Sequence, residues 1–133
     1  MSEKPFPIID AESRPFWQGT RERRLMIQRC TACRRHFFYA RALCPSCHSD
    51  AVDWVTASGR GTIYTFTIAR RPAGPAFKGD VPYVVALVEL EEGPRLMTNI
   101  IGIAPESVHI GQKVKAVFED ATDEVTLVKF APV

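Results

Sequence analysis

From Thr62 onward, apolar and polar residues alternate in short runs separated by turn residues, the period of strands that share one core. Thr62-Ile-Tyr-Thr-Phe-Thr-Ile-Ala69 places Tyr64, Phe66 and Ile68 on one face by that alternation. Tyr83 to Leu90 is almost continuously apolar and is expected to be buried on both faces. Arg95 to Ile101, Lys113 to Glu119 and Val125 to Phe130 complete the set. Ser58-Gly-Arg-Gly61, Glu91-Glu-Gly-Pro94 and Val108-His-Ile-Gly111 supply turns, with His109 exposed in the last of them. Arg71 to Asp80 is a Pro/Gly-rich loop of a length that often carries function.

Upstream the pattern is different. Residues 1–12 carry Pro5 and Pro7 and no period, so they read as an arm. Ser13 precedes Arg14-Pro15-Phe16-Trp17-Gln18, a cap with proline in the first turn, and predicts a short helix. Adjacent Phe16 and Trp17 leave a helix in different directions, one toward the body and one toward a neighbour. Leu25 to Gln28 and His36 to Tyr39 read as short extended pieces. The expected architecture is therefore mainly β: an N-terminal arm and short helix region over 1–24, a small ribbon over 25–56 and a barrel over 57–133. Five strands with no long helix suit a five-stranded barrel of the OB type, because closure removes exposed edges. An SH3-like barrel and an open sandwich are the alternatives.

The chemistry lies in the ribbon. Cys30-Thr-Ala-Cys33 and Cys44-Pro-Ser-Cys47 hold all four cysteines of the chain. Two C-x-x-C hooks present four thiolates to one point, which predicts a tetrahedral metal site with Zn²⁺ as the ion and iron as the minority choice. Four protein ligands close the site, so the metal holds structure and performs no reaction. His36 and His48 flank the hooks but find the shell already full. Disulfides would require an oxidising compartment, and Met1-Ser-Glu-Lys-Pro-Phe-Pro lacks a secretory apolar run. A single redox dithiol, or haem attachment at Cys44-Pro-Ser-Cys47-His48, would leave one hook unexplained.

Composition adds two points. The longest apolar run, Tyr83 to Val88, is far below the roughly 20 residues of a membrane span, so a soluble, cytoplasmic chain is expected. Residues 1–60 hold ten Lys/Arg against six Asp/Glu, whereas residues 61–133 hold seven against nine. The basic excess surrounds the hooks and suits phosphates or an acidic partner, or else is a solvated face. With no cysteine outside the hooks to act as a nucleophile, and no paired Ser/His/Asp spacing, a non-catalytic role is expected.

Cys30, Cys33, Cys44 and Cys47, preceded by Phe16-Trp17 and followed by Trp54, Ser58-Gly-Arg-Gly-Thr-Ile-Tyr-Thr-Phe-Thr67, Pro82-Tyr83 and Ile110-Gly111, together resemble the DUF35 family of zinc-ribbon OB-fold proteins. The resemblance covers nearly the whole chain. It implies two N-terminal helices, a rubredoxin-like zinc ribbon and a C-terminal OB barrel. It also implies an accessory subunit of an acyl-CoA enzyme, such as a thiolase, a thiolase-like aldolase or a hydroxymethylglutaryl-CoA synthase assembly, with coenzyme A as a ligand. The four cysteines correspond to the metal ligands, and Arg41 to the arginine of the segment between the hooks. With Arg34 and Arg35 it is a candidate for CoA phosphates, while Phe16 and Trp17 are candidates for the partner contact. The chain departs from the family pattern where glycine usually follows each C-x-x-C, since Arg34 and His48 stand there, and Ala40 replaces a common proline. The second reading is a single-stranded nucleic-acid binder, with Tyr64 and Phe66 stacking on bases. The net charge of only +2 and the acidic barrel half argue against it.

Overall fold

A computed structural model describes residues 4–133; the first three residues of the expected arm lie outside them. The arm runs without regular structure into helix α1 (Arg14–Arg21). Its start differs from expectation. Ser13 holds the N-cap position, but its side chain turns back: Asp10 Oδ1 accepts the Ser13 N–H at 2.8 Å and the Ser13 hydroxyl at 2.7 Å, while Ser13 Oγ accepts the Asp10 N–H at 3.3 Å. The Ser13 hydroxyl is thereby used up and makes no bond to a helix N–H. Among the described residues α1 is the single α-helix, where the family resemblance implied two.

Strands β1 (Met26–Cys30), β2 (His36–Phe37) and β3 (Val52–Thr56) form an antiparallel sheet in the order β2-β1-β3. β3 is absent from the sequence reading. Asp53 interrupts its apolar pattern, and the strand exists because Cys30 to Met26 pair along its length.

Strands β4 (Arg60–Ala69), β5 (Tyr83–Leu90), β6 (Arg95–Ile100), β7 (Lys113–Asp120) and β8 (Thr126–Pro132) close a barrel in the order β4-β5-β6-β8-β7. Only the β6–β8 pair is parallel, through Ile100 and Phe130, which is the OB arrangement. The inward residues include Ile63, Val84, Val88, Leu96, Val114 and Phe130, and Leu25 and Ile27 of the ribbon join the same core. Two glycines of the Ser58–Gly61 turn serve different ends. Gly59 has φ of +80°, and a Cβ on Gly61 would lie 2.6 Å from Val88 Cγ1.

Two strand expectations need correction. β4 shifts register between Ile63 and Thr65, so Tyr64 is an extra, outward residue while Phe66 and Ile68 pack inward. β5 is buried on one face only: Val84, Ala86, Val88 and Leu90 are buried, and Tyr83, Val85, Leu87 and Glu89 are half-buried. No helix among the described residues is long and apolar enough to cross a membrane.

Candidate functional site

Each hook is a tight turn of the same construction. In the first, the Arg34 N–H bonds the Cys30 carbonyl at 2.8 Å and the Cys30 N–H bonds the Arg35 carbonyl at 2.9 Å. In the second, the His48 N–H bonds the Cys44 carbonyl at 2.9 Å and the Cys44 N–H bonds the Ser49 carbonyl at 2.9 Å. This closure drives the residue after each hook into the left-handed region, with φ of +67° at Arg34 and +65° at His48. Those are the two positions where glycine is usual in the family. Both side chains are exposed and fit, at a backbone cost of about 1–2 kcal/mol each.

The hooks bring four sulfurs together. Cys30 and Cys47 Sγ lie 3.5 Å apart, Cys33 and Cys44 Sγ 3.6 Å, and all four within 4.8 Å of one another. A tetrahedron with zinc–sulfur bonds of roughly 2.3 Å has edges of about 3.8 Å, so this donor set fits one ion with no position left open. Backbone donors favour thiolate at the first cysteine of each hook. The Cys44 thiol is lowered to about 6 by the Cys47 N–H, with the Ser46 N–H adding to it at 3.3 Å. Cys30 is lowered likewise, first by the Cys33 N–H. At Cys47 the Ser49 N–H pulls downward but is outweighed by proton sharing with Cys30 and by burial, which push it up to about 11. Around the sulfurs the apolar packing is small: Cys30, Phe37 and Cys44 are buried, with Cys33 and Val52 against them.

Between the ribbon and the barrel a groove of about 330 Å³ opens where α1, β1, β2, β3, β6 and β8 meet. Phe16, Trp17, Phe38, Tyr39, Met97 and Val128 are among the residues that line it. Phe16 and Trp17 are both half-buried and both line the groove, and of the two only Phe16 packs against the barrel core. Their rings meet edge to face at 4.7 Å, and Phe16 continues onto Phe38 at 5.4 Å. Arg34, Arg35 and Arg41 are exposed and do not line the groove; none forms an ion pair among the described residues.

Two residues that shape this region escaped sequence reasoning. Buried Gln28 donates to the Arg41 carbonyl at 2.9 Å and accepts the Arg41 N–H at 2.8 Å, pinning the segment between the hooks to β1. Tyr39, at φ of +68°, accepts the Met97 N–H at 3.3 Å on its hydroxyl. A buried amide so near the hooks was the available signal for Gln28; Tyr39 offered none. The platform for base stacking does not form. Phe66 packs against the core, and the Arg95 guanidinium covers the Tyr64 ring at 3.7 Å.

Residues 17–53 match the ChsH2 rubredoxin-like zinc ribbon domain, and residues 54–119 match the ChsH2 C-terminal OB-fold domain. A DUF35 domain-containing scaffold protein of Methanocaldococcus jannaschii is 37% identical over 125 residues, covering 88% of this chain and 88% of the relative. The chain belongs to the DUF35 family. Among solved structures, a chain of the Ltp2-ChsH2(DUF35) aldolase is 42% identical with a TM-score of 0.84, covering 96% of this DUF35 chain and 98% of that chain. A probable enoyl-CoA hydratase alpha subunit of Thermomonospora curvata is 43% identical over 129 residues, 97% of this chain. The DUF35 chain spans only 40% of that hydratase subunit's length.

Proposed function

We propose that this DUF35 chain is a non-catalytic accessory subunit that scaffolds an acyl-CoA-processing enzyme, with a thiolase-like aldolase as the first candidate partner. The observation that carries this is the likeness along 98% of a chain in the Ltp2-ChsH2(DUF35) aldolase, at 42% identity. The likeness to a hydratase alpha subunit supports a second partner class, an acyl-CoA hydratase. Cys30, Cys33, Cys44 and Cys47 hold one Zn²⁺, which braces the ribbon; this uses every cysteine in the sequence. A partner supplies the nucleophile and the general base.

Arg34, Arg35 and Arg41 are the residues through which the chain would meet CoA. They are exposed and form no ion pair among the described residues, and a guanidinium can donate two bonds to one phosphate. The test is to purify the chain from its native cell under mild conditions and identify what accompanies it. A thiolase-like or hydratase subunit in fixed ratio is expected, with thioester turnover only in the complex. Turnover by the isolated chain would refute the reading. Calorimetry with CoA on the complex, against a triple Arg→Ala variant, separates CoA contact from scaffolding.

A further inference from the structure

Resting on the accessory-subunit reading, we infer that the partner enzyme docks on the outer face of β5–β6 at Met97, Arg95 and Tyr39, seating an apolar side chain in the adjoining groove.

Three features single out this face. The first is its residue types. Tyr39, Tyr64 and Met97 are exposed at 53%, 47% and 63%. Tyr, Met and Arg are the side chains enriched in interface cores, where a few buried anchors dominate affinity. The second is that these side chains are held ready. The bulge in β4 turns Tyr64 outward, Arg95 lies across its ring at 3.7 Å, and Glu89 accepts from Arg95 Nε at 2.9 Å. Tyr39 keeps a left-handed backbone while its hydroxyl accepts the Met97 N–H. Strain of this kind in a non-glycine residue clusters at binding sites. At Tyr39, Tyr64 and Arg95 little side-chain freedom remains to be lost on binding, which lowers the cost of association.

The third feature decides what the occupant is. Met97 and Tyr39 also line the groove, whose walls are almost entirely apolar, so flat patch and pocket are continuous. Its margins are cationic. Trp17, a lining residue, also borders a neighbouring hollow shared by Arg14, Arg21 and Glu124, and the Arg41 backbone is bonded to the lining residue Gln28; Arg14 and Arg41 are exposed and neither forms an ion pair among the described residues. An apolar floor between unpaired guanidiniums complements a protein surface that presents an apolar side chain flanked by carboxylates. A second copy of this chain fits less well, because its ribbon half is itself basic, with ten Lys/Arg against six Asp/Glu over residues 1–60.

The test uses the intact complex. The purified subunit that accompanies the wild-type chain is titrated against wild type, Met97→Glu, Arg95→Glu and, as a control, Ile110→Glu, which is 65% exposed in a turn outside the groove lining. Metal content and circular dichroism are measured on every variant. With the fold retained, Met97→Glu and Arg95→Glu are expected to weaken binding at least tenfold, Ile110→Glu less than twofold, and the wild-type affinity to fall with added salt. Wild-type affinity retained in both Met97→Glu and Arg95→Glu overturns the inference while leaving the accessory role standing. So does a variant that only dissolves a self-dimer. Failure of the wild-type chain to bind any acyl-CoA enzyme removes both. Should Met97→Glu misfold, Met97→Gln together with hydrogen exchange at β6 in the wild-type complex replaces it, and absent protection there is again the overturning result.

Discussion

The ribbon and the barrel answer the same problem, too little surface to bury, by opposite means. The barrel shares a core of thirteen buried residues from β1, β4, β5, β6, β7, β8 and nearby loops. Around the sulfurs, the ribbon buries three, two of them cysteines. A metal ion with roughly 10–16 kcal/mol of apparent binding free energy takes the place of apolar packing there. The division is not complete, since Ile27 of β1 and Leu25 just before it extend the barrel core into the ribbon sheet. The ribbon is therefore a metal-braced annex to the barrel, placed where it carries Phe38 and Tyr39 to the groove.

The largest expected effect breaks the comparison at its centre. Chelation at neutral pH, or Cys44→Ser, removes a contribution of order 10 kcal/mol to the ribbon. Rapid amide exchange through β1 and β2 and a changed near-ultraviolet signal from Trp17 and Trp54 are expected, with β4 to β8 still protected. If the barrel strands lose protection in the same step, the two regions do not differ in the way described. Phe130→Ala tests the other side. Phe130 is fully buried at the β6–β8 junction, and its truncation is expected to cost about 3–5 kcal/mol. Urea unfolding should shift accordingly while metal content below the transition is unchanged.

A smaller change sharpens the picture within the ribbon. Arg34→Gly and His48→Gly each relieve a left-handed residue but add freedom to the unfolded chain, leaving a net gain of about 0.5–1 kcal/mol. The two turns share no backbone hydrogen bond, and Arg34 and His48 are not themselves ligands, so the double variant should gain roughly the sum, read as thermal midpoints of the metal-loaded protein. No gain in either variant would mean that the metal, and not the backbone, sets the ribbon's stability.

What the sequence disclosed follows the same division. Two C-x-x-C hooks are local, and their chemistry needs only spacing, so the cluster was legible without a structure. The barrel was legible as alternation. It failed where alternation fails: one extra residue at Tyr64 reverses the phase, and β5 looks doubly buried because Val85 and Leu87 are apolar on its outer face. Features made by distant partners stayed hidden. β3 exists only through its pairing with β1, and Gln28 finds Arg41 across 13 residues. The groove joins six elements that no window of sequence holds together.

The smallest expected effect concerns what ties the N-terminal segment to the barrel. After α1, Arg23 donates two bonds of 2.8 Å to the Asp120 carboxylate at the end of β7. That guanidinium, helped by the Thr126 hydroxyl at 2.8 Å, lowers Asp120 to about 2 against desolvation. An unfolded aspartate titrates near 3.9, so the folded state binds the proton more weakly. The tie is then fully present above about pH 4 and is lost as the pH falls toward 2. Both groups are exposed, which keeps the effect small and salt-sensitive. Acid also protonates thiolates and releases metal, so the measurement is the difference between wild type and Asp120→Asn in the metal-free state. That difference in urea midpoint should be constant from pH 7 to 5, shrink between pH 4 and 2, and narrow in high salt. A difference independent of pH would locate the tie in shape and neutral hydrogen bonding, leaving apolar packing such as that of Leu25 and Ile27 as the main join between the two halves.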